Sequence, residues 1–292
     1  MRIGAFELEG QLPRLERPYA FAVLRPWINV GSAGSLALGT LEKTFHARWL
    51  GRLSRPGNFY DFTRYRPIMR FVEGERQISI PNTHVAYATR SGSNDLLFLN
   101  MMEPHMLGEV YVESVFRLME TLGIERYCLV GGMYDAVPHT RPLIVSGFGT
   151  GEAEARMRRA GVRPSDYEGP ATVITTLTQE GPKHGIDSMV LVVHLPQYTQ
   201  LSEDYAGQLC LLEAIRSIFD IPLELDDLAR RAREQYTKLN GALERESQLQ
   251  EVVRQLEEYY DARSSAAQEQ PPELSPDLQS FLQEINRRFG SG

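Results

Sequence analysis

The chain has 292 residues, 42% of them hydrophobic and 24% charged, with a formal net charge of −7. That length carries one large α/β domain with an appendage, and the composition is too polar for an integral membrane protein. The acidic balance disfavours nucleic-acid binding, which needs a surplus of Lys and Arg on one face, and two cysteines cannot form a disulfide scaffold.

The first ten residues show no cationic start followed by an apolar stretch, and no run approaches the length of a bilayer span. The expected partners therefore include no membrane, and the expected location is the cytoplasm. A strand is predicted over 20–24. The string NVGSAG (29–34) then begins a glycine-rich turn that runs into a helix over 35–45, with Leu36, Leu41 and Phe45 on one face. A second strand follows over 48–53. Apolar runs at 68–72 and 76–80 flank Glu73, Gly74 and Glu75 as a hairpin, and strands at 85–89 and 95–99 are separated by SGSN (91–94).

Residues 108–122 place Val112, Val115, Phe116 and Met119 on one helical face, and Gly123 supplies a C-terminal stop. The strand at 126–130 leads into GGMYDAVPHTRP (131–142), a polar crossover before the next apolar run at 142–147. The last two strands are predicted at 172–177 and 189–194, with GPKHG (181–185) as an exposed loop between them. A helix over 203–219 carries Leu209, Leu212, Ile215 and Phe219.

Alternating strands and helices of this kind predict an α/β domain over 1–221, built as a three-layer α/β/α sandwich around a mixed central sheet. Residues 222–260 change to charged, Gln-rich helix formers. They are expected to form a helical extension whose Leu249, Val252 or Val253, Leu256 and Tyr259 or Tyr260 pack on the main domain. A flexible linker is expected over 261–274. Ser275 and Pro276 then start an amphipathic C-terminal helix over 275–292, striped by Leu278, Phe281, Leu282, Ile285 and Phe289. This helix is expected to dock on its own domain or a sister subunit rather than on a foreign partner.

Open α/β sheets bind ligands at strand ends, which marks the glycine turn at 29–34 and the crossover at 131–142 as candidate sites. At Gly31, Ser32 and Gly34, backbone N–H groups at a helix N-terminus suit an anion, as does the GFGTG turn at 147–151. Close packing of helix on strand explains the same glycines. Neither turn is a P-loop or a dinucleotide fingerprint, so no cofactor is expected. Asp135, His139, Thr140 and Arg141 combine a carboxylate, a tunable imidazole and a fixed cation, the ingredients for acid–base work on an anionic substrate. The alternative is a rigid loop in which Arg141 pairs with a carboxylate and His139 bonds a carbonyl. Asp61 and Arg66, with Tyr60 and Arg64, form a third polar group suited to a subunit contact or a ligand. The six histidines and two cysteines never fall into metal-ligand spacing.

With NVGSAG (29–34), FYDF (59–62) followed by Arg66 and Pro67, Gly131 and Gly132 with VPHTRP (137–142), Gly169 and Pro170, and LPQY (195–198), the chain resembles the proteasome assembly chaperone 2 family, particularly its bacterial members. The resemblance spans most of the chain. It implies an α/β/α domain with nucleoside-phosphorylase-like topology and a homo-oligomer, with a trimer the leading form. Some members of the family engage proteasome rings through a C-terminal hydrophobic-tyrosine-any motif. This sequence closes on RFGSG (288–292), so protein-binding roles other than that docking are expected. The leading functional expectation is a non-catalytic assembly or binding protein of chaperone type, with itself and a protein client as partners. The second is a small-molecule enzyme with a phosphorylase-like crevice acting on a nucleoside or other small anionic ligand.

Overall fold

A computed structural model describes residues 1–243, 247–265, 274 and 276–289. In chain order the first elements are β1 (Arg2–Ile3), β2 (Phe6–Leu8), β3 (Tyr19–Arg25), α1 (Ala33–Thr44) and β4 (Arg48–Leu53). The hairpin β5 (Ile68–Val72) and β6 (Glu75–Ser79) follows, then β7 (His84–Ala88), β8 (Leu96–Met102), α2 (Gly108–Thr121), β9 (Arg126–Asp135) and β10 (Ile144–Gly149). The domain continues with α3 (Glu152–Arg159), β11 (Arg163–Pro164), α4 (Val173–Glu180), β12 (Asp187–Pro196) and α5 (Tyr205–Phe219). Three further helices complete the described chain: α6 (Asp226–Leu243), α7 (Ser247–Ser265) and α8 (Pro276–Phe289).

Among the described residues, ten strands form one mixed sheet in the order β1-β2-β4-β7-β8-β3-β9-β12-β10-β11. The centre, β8-β3-β9-β12, is parallel; β10 runs antiparallel to β12, and the half from β8 to β1 is antiparallel throughout. Side chains alternate across the pleat, so each central strand is apolar on both faces. On β3, Tyr19, Phe21 and Val23 join the core under α1, α3 and α5, while Ala20, Ala22 and Leu24 join the core under α2 and α4. Helices cover both faces of the sheet, the expected α/β/α architecture, and a helical region follows. Among the described residues no helix is long and apolar enough to cross a membrane.

The segment 172–177 departs from the sequence reading: it is the start of α4, not a strand. Thr172 is the N-cap, its Oγ1 accepting the Ile174 N–H at 3.3 Å, and Ile174, Leu177 and Thr178 are buried at helical spacing. Its β-branched residues favour a strand locally, but the apolar period is 3.6 and the sheet beneath rewards burial of that face. Between α4 and β12, Gly181–His184 form a 3-10 turn in which Pro182, Lys183 and the following Gly185 are exposed as expected, while Gly181 is buried and His184 stacks on Phe116. The helix α7 runs to Ser265, so residues 261–265 of the predicted linker are helical. The rest of that linker, apart from Leu274, lies outside the described residues.

Helices α7 and α8 lie on their own chain. Val252 and Leu256 of α7, with Leu278 and Leu282 of α8, form a small core with Ala136 and Tyr198. Gln197 Nε2 donates to the Leu282 carbonyl at 2.9 Å, and Tyr260 Oη donates to the Pro142 carbonyl at 2.9 Å.

Candidate functional site

Three neighbouring strands place a polar chain on one face of the sheet. In the β9/β12 ladder, His194 pairs with Met133 and Pro196 with Asp135; in the β10/β12 ladder, Ser146 pairs with Val192. Alternation then puts Asp135, His194 and Ser146 on the face that carries Leu129, Val190 and Val192, towards α4. Ser146 Oγ lies 2.6 Å from His194 Nε2, and His194 Nδ1 lies 2.7 Å from Asp135 Oδ2. Ser146 and His194 are each 8% exposed. Asp135 Oδ1 accepts the Ala136 N–H at 2.7 Å, and the Arg263 guanidinium of α7 approaches Oδ2 to 3.7 Å.

Burial pushes the Asp135 carboxyl up, but the hydrogen bond and charge of His194, the Ala136 N–H and Arg263 together hold it below the usual carboxylate range. In the neutral imidazole, a carboxylate at Nδ1 takes the Nδ1–H and leaves Nε2 to accept from the Ser146 hydroxyl.

Ser146 also forms part of the wall of a cleft of about 500 Å³ between the sheet and α4. Its other walls are mainly apolar, with Trp27, Ile28, Met133, Phe148, Ile174 and Val192. Polar groups enter from Thr172, the N-cap of α4, from Thr175 on its first turn and from Glu103, whose Oε1 accepts the Val173 N–H at 3.2 Å. Burial pushes the Glu103 carboxyl up to about 6, against the opposing pull of that N–H. Among the described residues lining this cleft there is no Lys, Arg or His.

The segment 135–141 is divided between two places. Asp135 joins His194, whereas His139, Thr140 and Arg141 turn to the helical extension. His139 Nδ1 lies 2.5 Å from Tyr198 Oη, its backbone N–H donates to the same oxygen at 2.8 Å, and its ring meets Tyr236 of α6 edge-on. Burial lowers its pKa, outweighing the hydrogen bond to Asn240 and the charge of Glu257. Arg141 grips Asp261 with Nε and Nη2 at 3.0 and 2.8 Å and reaches Glu257 at 3.1 Å; Thr140 donates to the same Glu257 oxygen. These contacts clasp α7 to the loop.

At the other turn, Gly31 adopts φ +56°, and a Cβ there would fall 2.9 Å from both Asp204 Cβ and Leu195 Cδ1. The Ser35 N–H and hydroxyl both donate to Asn29 Oδ1, at 3.0 and 3.1 Å, and Ser32 N–H donates to the Asn29 carbonyl. Gly34 lets α1 approach β9 so closely that a Cβ would sit 2.7 Å from the Val130 carbonyl. Gly34 and Gly131 thus meet across one helix–strand contact, whereas Gly31 faces Asp204 and Leu195. Of GFGTG, residues 147–149 close β10 rather than forming a turn, and just beyond the segment the Ala153 N–H donates to Asp187 Oδ1 at 3.1 Å.

Asp61 caps its own turn through the Thr63 N–H and hydroxyl, while Arg66 precedes the β5–β6 hairpin; neither lines the cleft. Tyr60, grouped with them in the sequence, is a core residue: its hydroxyl lies 2.6 Å from Thr83 Oγ1, which also meets Tyr111 Oη at 2.8 Å. Among the described residues no group of three His, Cys, Asp or Glu side chains is placed to hold a metal.

Ser146 and His194 are the site residues that sequence reading passed over. Each interrupts an apolar strand run, and that interruption on the buried face was the available signal.

The hairpin offers a surface of another kind. Its register sets Met69 opposite Ile78 and Phe71 opposite Arg76, so Met69, Phe71 and Ile78 share one face. Phe71 is 68% and Ile78 65% exposed, and Ile80 continues the apolar run.

A model of the PAC2 family matches residues 23–243. Among solved structures, a PAC2 family protein from Streptomyces avermitilis is 25% identical, with a TM-score of 0.72, covering 81% of this chain and 99% of its own. The Mycobacterium tuberculosis protein of unknown function Rv2714 is 24% identical with a TM-score of 0.79, covering 91% and 92%. The proteasome-assembly chaperone homologue Rv2125 from the same organism is 22% identical with a TM-score of 0.73, covering 80% and 99%. No curated protein matches the sequence.

Proposed function

The chain belongs to the PAC2 family, and from that premise we propose that it is a chaperone-type assembly protein, a cytoplasmic homo-oligomer, with a trimer the expected form, that holds a protein client. The observation that carries this reading is the β5–β6 hairpin. Both strands are exposed along their length, and one face carries Met69, Phe71 and Ile78, with the Arg76 guanidinium over the Phe71 ring. A two-stranded sheet is marginal alone in water, and a contiguous apolar face of this kind marks a protein contact. The likeness to a proteasome-assembly chaperone homologue supports a role in assembly.

The small-molecule alternative drew on the Gly31 turn and on Asp135 to Arg141. Asp204 and Leu195 fill the space beside Gly31, and Arg141 is engaged by two carboxylates of α7. Both arrangements favour the assembly reading over binding of an anionic metabolite at these positions.

The test is the mass of the native particle, measured by native mass spectrometry and light scattering at micromolar concentration. Wild type should be oligomeric, and Phe71→Asp with Ile78→Asp should shift it towards monomer without lowering Tm of the isolated subunit. An oligomer unchanged by both substitutions, with unchanged recovery of co-purifying protein, refutes the role of the hairpin.

A further inference from the structure

Assembly through the hairpin makes no use of the buried chain from Ser146 through His194 to Asp135. We propose that Ser146 is the nucleophile of an acyl-transfer site, with His194 as its general base and Asp135 as the residue that positions the base, and that it hydrolyses carboxylic esters of apolar acyl groups held in the adjoining cleft.

Connectivity is the first argument. The hydroxyl meets Nε2 at 2.6 Å and the carboxylate meets Nδ1 at 2.7 Å, the order of contacts that nucleophile activation requires. The three residues come from three strands, at sequence separations of 48 and 59, so the arrangement is not a local turn motif. Access is the second argument. A Ser–His–Asp chain sealed in a core merely satisfies its own polar atoms, whereas Ser146 borders an open cleft. Its proton is directed to His194, which leaves oxygen lone pairs for a bound carbon electrophile.

The lining sets the substrate class. About 500 Å³ of mainly apolar space suits a small organic ligand. Without a Lys, Arg or His among its described lining residues, and with Glu103 present, the cleft repels phosphate esters and other anions. Neutral acyl esters fit it. The hydroxyls of Ser165, Thr172 and Thr175 and the indole N–H of Trp27 are among the side-chain donors of the residues lining the cleft.

In the reaction, Ser146 Oγ bonds to the acyl carbon as its proton passes to His194 Nε2. The tetrahedral adduct collapses, the bond from carbon to the alkoxy oxygen breaks, and the departing alcohol takes the proton from Nε2. Water then adds to the acyl-serine, giving a proton to Nε2. The carbon–Oγ bond breaks, Oγ recovers that proton, and a carboxylic acid leaves. One ester and one water become one acid and one alcohol, with no net oxidation. Asp135 stays ionised and holds the imidazole throughout.

The full-length protein should be treated with a fluorophosphonate probe and assayed on p-nitrophenyl esters from acetate to decanoate. The expected results are an adduct mapped to Ser146 and hydrolysis favouring acyl chains longer than acetate. Ser146→Ala should abolish both, with its melting curve confirming that it folds. Asp135→Asn should lower kcat at least about 100-fold with KM unchanged, because Asp135 touches the base and not the substrate. Wild-type protein that leaves Ser146 unlabelled under conditions that saturate a known serine hydrolase overturns the proposal, and this measurement needs no variant. So does ester hydrolysis that persists in Ser146→Ala. An unchanged kcat in Asp135→Asn overturns the positioning role of Asp135.

Discussion

Replacing Leu256 by Ala probes how the C-terminal helices are held. Leu256 is fully buried in the small core it shares with Val252, Leu278, Leu282, Ala136 and Tyr198. Leu→Ala at a site of this kind costs about 3–5 kcal/mol, through lost transfer energy and the cavity left behind. Taking about 3 kcal/mol, and a factor of ten for each 1.4 kcal/mol, the equilibrium for undocking rises roughly 140-fold. The helices touch the body through a limited contact, so they should open as a local unit. Hydrogen–deuterium exchange should then show α7 and α8 amides exchanging about 140-fold faster in the variant, with those of β3 and β9 unchanged. Exchange in α7 that stays within a factor of about three of wild type refutes docking through this core.

Three further outcomes are expected. Thr83→Val removes the hydroxyl shared by Tyr60 and Tyr111, which also accepts the Met102 N–H; a loss of about 1–3 kcal/mol should appear in urea denaturation, and an unchanged midpoint would deny the network any role. Burial raises Glu103 from 4.5 to about 6, so the folded chain binds this proton more readily than the unfolded one. Its contribution to stability falls as pH rises through that window and is flat above it. Glu103→Gln should flatten this part of the Tm profile, and an identical profile in the variant would remove Glu103 as its source. Gly34→Ala drives a Cβ against the Val130 carbonyl and should cost about 1–3 kcal/mol by pushing α1 off β9, whereas Gly39→Ala, with open space around it, should be neutral or stabilising by calorimetry.

The sequence by itself determined the layers of this protein. Runs such as 20–24 and 126–130 are apolar on both sides of the pleat, which only a strand covered by helices on both faces can satisfy. The stripe of α2 and its stop at Gly123, which adopts φ +68°, were equally local. So was the amphipathic face of α8, which has to be buried somewhere. The segment 172–177 was not settled locally, because its β-branched residues and its helical spacing point in opposite directions and the packing of Ile174 and Leu177 decided between them.

Only the tertiary structure decided which polar residues meet. Asp135, His139 and Arg141 are neighbours in the chain, yet the strand end sends Asp135 to His194 while the following loop turns His139 and Arg141 towards Tyr198 and α7. Ser146, His194 and Asp135 are brought together by the strand order β9-β12-β10 and by its register. Local residue types set the period of a strand, but sheet order and register follow from the packing of the whole domain, and a slip of one residue in β10 would turn Ser146 to the opposite face.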